Sequence, residues 1–399
     1  MNGTGRMREK VVIAAGARTP VGSFGGVFAD TDAHLLGAAA VSEALRRAGV
    51  DGADVDEVVM GCVGQYGPDA YNARRVALAA GLPDRVPALT VNRLCGSGVQ
   101  AIWSGAQELL WGGVDVVVAG GDESMSRTPF LAYGERGNAR LGDRALQDGT
   151  LAYLVDPFSG RHMGTTAENV AERYSVSRAE QDAFALESQR RAASDGAQAA
   201  FADEIVAVRT AGRSPVEVAH DEHPRPETTS EALARLRPAF QEGGSVTAGN
   251  SSGVNDGAAA TVLLREADAR ERGLRGLATI EAVTTAGIDP ALMGYAPVLA
   301  LLRLWERTGL AADDVDVFEV NEAFAAQAVA VIRDAGLDPE RVNPYGGAIA
   351  LGHPVGATGA ILTVRAALDL HRRDLELAVV TLCIGGGQAI AMLLRRWDG

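Results

Sequence analysis

Ala48-Gly49-Val50 followed by Asp54-Val55-Asp56 returns 260 residues later as Thr308-Gly309-Leu310 followed by Asp314-Val315-Asp316. Each copy leads into a short apolar run. Two looser echoes keep the same order: Val91-Asn92 with Val342-Asn343, and Asp115-Val116-Val117-Val118 with Glu376-Leu377-Ala378-Val379. Chance supplies one such match; three in order point to a duplicated unit. A chain built this way folds as two similar halves. A two-fold relation between them brings loops at equivalent ends into one cleft.

Local patterns give the class of each half. Val11 to Ala15 reads as a buried strand, broken by Gly16 to Gly26, and a helix is predicted from Asp32 to Ala48. Val55–Val59 and Val114–Ala119 read as further strands, with an amphipathic helix over Ser97–Trp111 between them. Val315–Val320 and Leu377–Leu382 read as strands in the second half. Short apolar strands alternating with helices predict an α/β fold with a largely parallel sheet. The stretch from 124 to 248 is different: polar, charged, and marked by turns such as His223-Pro224-Arg225-Pro226. Helices are predicted within it at Gly164–Tyr174 and Arg178–Ala193. It reads as a loop domain inserted into the first half, which resumes with a glycine turn and apolar strand over Ala248–Leu264. The resulting division is 1–123 with 249–270, then 124–248, then 271–399.

At 399 residues the chain exceeds a single ordinary core. A net charge of −14 argues against a general nucleic-acid or anionic-membrane surface. It leaves room for a local basic patch toward an anionic small ligand. Lys10 is the only lysine, so such a patch must be arginine, which suits phosphate. Three scattered cysteines are too few for a disulfide framework and imply a reducing compartment. The opening Met1–Lys10 lacks the apolar core of a leader, and no apolar run approaches the roughly 18 residues needed to span a bilayer. A cytoplasmic protein is expected.

The chemistry concentrates at three glycine-bracketed turns. Cys95, between Leu94 and Gly96, stands just before a helix, where backbone N–H groups favour a thiolate. Gly96 and Gly98 are read as clearing side chains from around the sulfur. His353, between Gly352 and Pro354, has the ordinary acidity of a proton acceptor at neutral pH; no neighbouring histidine or cysteine gives it metal-ligand spacing. Cys383 follows a strand and precedes Gly385-Gly386-Gly387, whose N–H groups suit an oxyanion hole. A phosphate-cradling role for that triplet lacks the usual Lys-Ser/Thr pair. Asn321, just after a strand, reads either as a helix cap or as a group that orients a water or carbonyl.

Together these segments resemble the thiolase family over nearly the whole chain. Val91-Asn92-Arg93-Leu94-Cys95-Gly96-Ser97-Gly98 resembles its nucleophile motif. Asn321-Glu322-Ala323-Phe324-Ala325, Gly346-Gly347-Ala348-Ile349-Ala350-Leu351-Gly352-His353-Pro354 and Cys383-Ile384-Gly385-Gly386-Gly387 resemble the other catalytic loops. The resemblance implies a duplicated αβαβα fold with a loop domain, assembled as dimers or tetramers. It implies Cys95 as nucleophile, His353 as its base and Cys383 as α-proton base. Asn321 would hold a water, and the N–H groups of Cys95 and Gly385 would bind the thioester oxygen. It further implies Arg225 and Ser252 as coenzyme A contacts, with His162, Met163, Met293 and Phe324 lining the acyl pocket. As plain sequence, Arg225 is equally a solvated loop arginine and Met293 a core filler.

The implied reaction is reversible condensation of two acetyl-CoA to acetoacetyl-CoA and CoA, with no metal or other cofactor. Longer-chain 3-ketoacyl-CoA cleavage is the alternative on the same fold, and a non-catalytic acyl-CoA or lipid binder is the alternative outside catalysis. A decarboxylating condensing enzyme would replace Cys383, and a papain-like hydrolase leaves the second thiol unexplained. Arg161, Tyr345, Gln388 and Thr358 depart from the family pattern, and the first three are read as able to reshape the acyl pocket.

Overall fold

The computed structural model describes residues 9–135, 137, 141–212 and 214–399. Most of the polar opening segment, residues 1–8, lies outside the described residues.

In the first half, strand β1 (Val11–Arg18) is followed by helix α1 (Ala33–Ala48), strand β2 (Glu57–Gly61), helix α2 (Asn72–Ala79) and strand β3 (Ala88–Val91). Helix α3 (Ser97–Trp111) and strand β4 (Val117–Ser124) come next. An insertion follows, containing α4 (Met163–Arg173), α5 (Arg178–Ala192) and α6 (Asp195–Glu204), before β5 (Asn255–Arg265) completes the half. The second half runs β6 (Ala278–Gly287), α7 (Ala296–Thr308), β7 (Val317–Val320), α8 (Ala325–Asp334), α9 (Thr358–Arg372), β8 (Leu377–Ile384) and β9 (Gln388–Arg396).

The duplication is visible strand by strand. The first half has the order β1-β5-β4-β2-β3, and the second has β6-β9-β8-β7. An isolated parallel bridge from Phe318 to Val342 stands where β3 would recur. Strands β1 and β6 pair antiparallel, Val11 opposite Ile280, and so join the halves into one sheet. Ladder direction follows connectivity. The pairs β2–β4, β2–β3 and β7–β8 are parallel because helices carry the chain back across the sheet. The inner pairs β1–β5, β5–β4, β6–β9 and β8–β9 are antiparallel. In β8–β9 only a glycine turn separates the strands, which forces that direction. The sheet is therefore mixed, with parallel pairing in the outer strands of each half.

Three cores give the layers. One joins α3 and α9 to the inner faces of both half-sheets, including Ile102, Leu109, Ile361 and Leu370. The second packs α1 and α2 on the outer face of the first half through Leu36, Val41 and Val76. The third packs α7 and α8 on the second half through Leu301, Leu304 and Val331. The order is helix, sheet, helix, sheet, helix.

The insertion is pinned to both halves by a buried ion cluster. Glu204, at the end of α6, accepts from Arg18 Nε at 2.7 Å and from Arg365 Nε and Nη2 at 3.2 Å each. Asp221 takes the remaining face of Arg18 at 2.7 and 3.0 Å. The Phe201 ring lies 5.2 Å from the Arg18 guanidinium carbon and 5.1 Å from that of Arg365. Burial alone would raise the pKa of Glu204; Arg365 and Arg18 overcome it and hold the carboxyl below its ordinary value. Removing one partner of such a cluster leaves uncompensated buried charge. Glu204→Ala is expected to cost about 3–5 kcal/mol in urea unfolding. A loss below about 1 kcal/mol would show that Asp221 and Phe201 suffice for both guanidinium groups.

Candidate active site

Cys95 is presented by a strained, heavily bonded turn between β3 and α3. Leu94 has φ +46°, a left-handed conformation that a branched side chain adopts only when its surroundings impose it. The surroundings do: Asn92 Oδ1 accepts the Leu94 N–H at 2.9 Å, and Ser97 Oγ accepts the Arg93 N–H at 2.8 Å while donating to Leu94 O at 2.6 Å. The flanking glycines do not open space, contrary to their reading from sequence. A Cβ on Gly96 would meet Ile384 Cδ1 at 2.4 Å, and one on Gly98 would meet Ala360 N at 2.4 Å. They let α3 press against α9 and β8, so the nucleophile turn is held directly against the loops of the other half.

His353 stands at the equivalent place before α9. Asn255 Oδ1 accepts the His353 N–H at 2.9 Å, and Gly352 (φ +97°) passes Asn255 so closely that a Cβ would lie 2.5 Å from its Cγ. The imidazole tautomer follows from one hydroxyl. Thr358 Oγ1 donates its only hydrogen to Pro354 O at 2.9 Å and lies 2.7 Å from His353 Nδ1. It can only accept from Nδ1, which therefore carries the proton. Nε2 is left with its lone pair, buried and without a partner in the chain. Thr358, a departure from the family pattern, thus does the orienting.

Both members of the pair are held neutral by burial. It lowers His353 to about 4. It raises Cys95 to about 11, although the backbone N–H groups of Gly385 and of Cys95 itself pull the other way. The helix terminus alone predicts a downward shift, and desolvation outweighs it. Cys383 is buried without exposure in β8, and burial, with Cys95 close by, pushes its thiol far above the ordinary range.

A cavity of about 810 Å³ opens at this point. Cys95, His353 and Gly385 line it, as do Arg225, Ser252, His162, Met163, Met293 and Phe324. Cys383 and Asn321 lie behind the wall. Cys383 packs with Met163, Met293, Ala323 and Phe324, all of which face the cavity. Asn321 is 1% exposed, and neither atom of its amide has a partner in the chain. His162 caps α4 by accepting the Gly164 N–H at 3.0 Å and stacks on Phe240 at 4.7 Å. Phe240 meets Phe324 edge-on at 5.9 Å. The Arg225 backbone N–H donates to Gln189 Oε1 at 2.8 Å, and both residues line the cavity.

Three suspected pocket residues lie elsewhere. The Tyr345 hydroxyl donates to Asp369 at 2.8 Å beside Arg372; Arg161 and Gln388 are exposed, and none of the three lines the cavity. Sequence reading missed Phe240, Asn255 and Tyr153. Asn255 carried a faint signal in its place at the head of an apolar strand; Phe240 and Tyr153 carried none. Among the described residues, no group of three or more His, Cys, Asp or Glu is placed to hold a metal, and no helix is long and apolar enough to cross a membrane.

Thr358→Val should lower kcat by about ten- to a hundredfold at little cost in KM, because the imidazole loses its fixed tautomer. Thr358→Ser should restore it. Equal kcat in the valine variant and the parent would remove the hydroxyl from the mechanism.

Comparison with known proteins was made over the whole chain. The family model described as Thiolase, N-terminal domain, matches residues 11–267, and that described as Thiolase, C-terminal domain, matches 274–396. The β-ketothiolase BktB of Cupriavidus necator is 51% identical over 98% of this chain and 100% of its own length. An acetyl-CoA acetyltransferase of Pseudomonas aeruginosa is 47% identical over 97% of this chain and 100% of its own. The crystal structure of the Bacillus anthracis acetyl-CoA acetyltransferase superposes with a TM-score of 0.95 at 43% identity, covering 98% of this chain and 99% of that one. Human mitochondrial 3-ketoacyl-CoA thiolase in complex with CoA gives 0.94 at 41% identity, covering 98% and 99%.

Proposed function

We propose the following on the premise that this chain belongs to the thiolase family. It is an acyltransferase, an acetyl-CoA C-acetyltransferase joining two acetyl-CoA into acetoacetyl-CoA and CoA and running the reverse cleavage. The observation that carries the reading is the meeting of Cys95, from one half, with His353 and Gly385, from the other, on one cavity wall.

The steps follow from the chemistry of these groups. As the Cys95 sulfur attacks the acyl carbon, its proton passes to His353 Nε2, the one ring nitrogen with a free lone pair. Since both groups rest neutral, transfer accompanies attack and no thiolate need stand ready in water. The N–H groups of Cys95 and Gly385, already close to the sulfur, donate to the oxygen on which charge develops. CoA leaves with the proton from His353. The Cys383 thiol passes its proton to His353 Nε2, free again once CoA has left, and as thiolate takes a methyl proton from a second acetyl-CoA. A base for so weak a carbon acid must itself be strong, and the burial that raises Cys383 acts in that direction. The enolate oxygen is met by the now protonated Nε2 of His353 and by a water held on the otherwise unpartnered Asn321 amide. Attack of its carbon on the Cys95 thioester forms the new bond and releases the Cys95 sulfur, which takes the proton from His353 and restores the starting thiol and imidazole.

Arg225 and Ser252 contact coenzyme A, and His162, Met163, Met293 and Phe324 shape the acyl site. No further cofactor enters these steps. We take the units as 1–123 with 249–270, 124–248, and 271–399. Three free thiols support the cytoplasm as location. Exposed Phe130, Tyr133, Leu141 and Leu146 in the insertion support assembly beyond a dimer, to a tetramer. A second reading, cleavage of longer 3-ketoacyl-CoA, draws on the apolar wall of Val63, Met125, Leu154 and Val355 against which Cys95 packs.

Brief exposure to acetyl-CoA should add one acetyl group to Cys95 by intact-mass spectrometry. Cys383→Ser should still acquire it, yet lose condensation by about three orders of magnitude or more. Equal loss of both steps would reject the division of labour between the thiols. Against a panel of acyl-CoA substrates, kcat/KM on acetoacetyl-CoA should exceed that on a C8 3-ketoacyl-CoA; the opposite order would favour the second reading.

A further inference from the structure

Beneath the cavity lies a carboxylate that the mechanism does not use. Glu123, near the end of β4, is 1% exposed. Among the described residues no arginine, lysine or histidine comes within salt-bridge distance of it. Its charge is met instead by backbone. Oε2 accepts the Val63 N–H and the Gly356 N–H, each at 2.9 Å, and Oε1 accepts the Gly64 N–H at 2.9 Å. The fit is close enough to require glycine: a Cβ on Gly356 would lie 2.6 Å from Oε2, and one on Gly64 would lie 3.0 Å from Oε1.

The three N–H groups belong to the two loops that matter. Val63 and Gly64 continue β2, and Val63 forms an apolar cluster with Met125 and Val355 against which Leu94 and Cys95 pack. Gly356 is three residues beyond His353, in the turn whose Pro354 carbonyl holds Thr358. One carboxylate therefore joins the wall behind the nucleophile to the turn that carries the base, across the seam between the halves. We propose that Glu123 is a positioning residue for the thiolase reaction, its ionised carboxylate fixing the Cys95–His353 geometry by clamping Val63–Gly64 to Gly356.

The proposal rests on the functional reading above. The groups facing Glu123 are Cys62 at 3.9 Å from Oε1, Asp122 on its own strand, Asp256 on β5, Tyr66, Cys95 and Tyr153. Burial raises Glu123 to about 7, with the three N–H bonds opposing, so the clamp is held near its limit of ionisation. A nearby anion also opposes formation of a Cys95 thiolate, which gives a readout that a purely structural residue would not move.

The test uses full-length protein with Glu123→Gln and Glu123→Asp. Glutamine keeps the shape but replaces one acceptor oxygen with a donor and removes the charge. It should lower kcat between about tenfold and a hundredfold, leaving KM for acetyl-CoA within about threefold. The midpoint of Cys95 alkylation by iodoacetamide against pH should also fall. Aspartate keeps the charge but not the reach; kcat should fall comparably while the alkylation midpoint stays near that of the parent. Should the glutamine variant fail to fold, the aspartate variant decides on kcat alone. Parental kcat in either folded variant, or an unmoved alkylation midpoint in Glu123→Gln, overturns the proposal. Wild-type protein that takes no acetyl group on Cys95 would instead overturn the functional reading.

Discussion

Helices α3 and α9 touch backbone to backbone at their first turns, and the site depends on that contact. A Cβ on Gly98 would lie 2.4 Å from Ala360 N, and one on Gly359 would lie 2.6 Å from Val99 N. No side chain larger than hydrogen fits on either side. Each helix begins just after a loop that carries a reactive group, Cys95 before α3 and the His353 turn before α9. Closing the helix ends to this distance therefore sets the distance between nucleophile and base. The duplicated sheet delivers both helices to one layer, and the glycines let that layer close. Replacement of either glycine would act on catalysis through spacing, without touching a reacting atom.

The same closure withdraws water, and that governs the chemistry more than any local charge does. Burial is the leading cause of the shifts at Cys95, His353, Cys383 and Glu123. It disfavours whichever form is charged, so the thiols rise and the imidazole falls. A thiolate–imidazolium pair waiting in the empty site would be costly in such surroundings. A neutral pair whose proton moves only as the acyl carbon accepts the sulfur is not. In the proposed reaction the N–H groups of Cys95 and Gly385 would then act where charge appears, in a medium that weakens them little.

What was legible in the sequence was whatever depended on pattern. The 260-residue echo marked the two halves, and the helix over Ser97–Trp111 was placed to the residue. The residues gathered around the cavity could be named from their motifs. What was hidden depended on contacts between distant segments. Ladder direction in the sheet centre is set by connections whose routes no local pattern records. Gly96 and Gly98 were misread because a glycine that admits a neighbour looks the same as one that leaves a gap. Tyr345 looked like a pocket residue by position, yet its hydroxyl turns to Asp369. Phe240 lies within a charged stretch, and only its stacking on His162 gives it meaning. The direction of the Cys95 shift was also hidden, since a helix terminus can be read from sequence whereas desolvation cannot.

The place of the insertion explains how such a scaffold separates reaction from recognition. Cys95, Asn321, His353 and Gly385 come from loops of the duplicated halves, and Cys383 from the end of β8, all fixed by sheet and helix ends. Arg225, His162, Met163 and Phe240 come from the insertion between β4 and β5, as do most groups at the cavity mouth. The insertion meets the halves through a compact ion cluster at Glu204 and through Gln189, which bonds both the Arg225 backbone and Ile349 O. Its substrate-facing loops can thus vary while the reactive groups remain where α3 and α9 put them. Substitutions of His162, Met163 or Phe240 should then alter recognition and leave acylation of Cys95 intact. Those that abolish acylation should lie in the Cys95 and His353 turns.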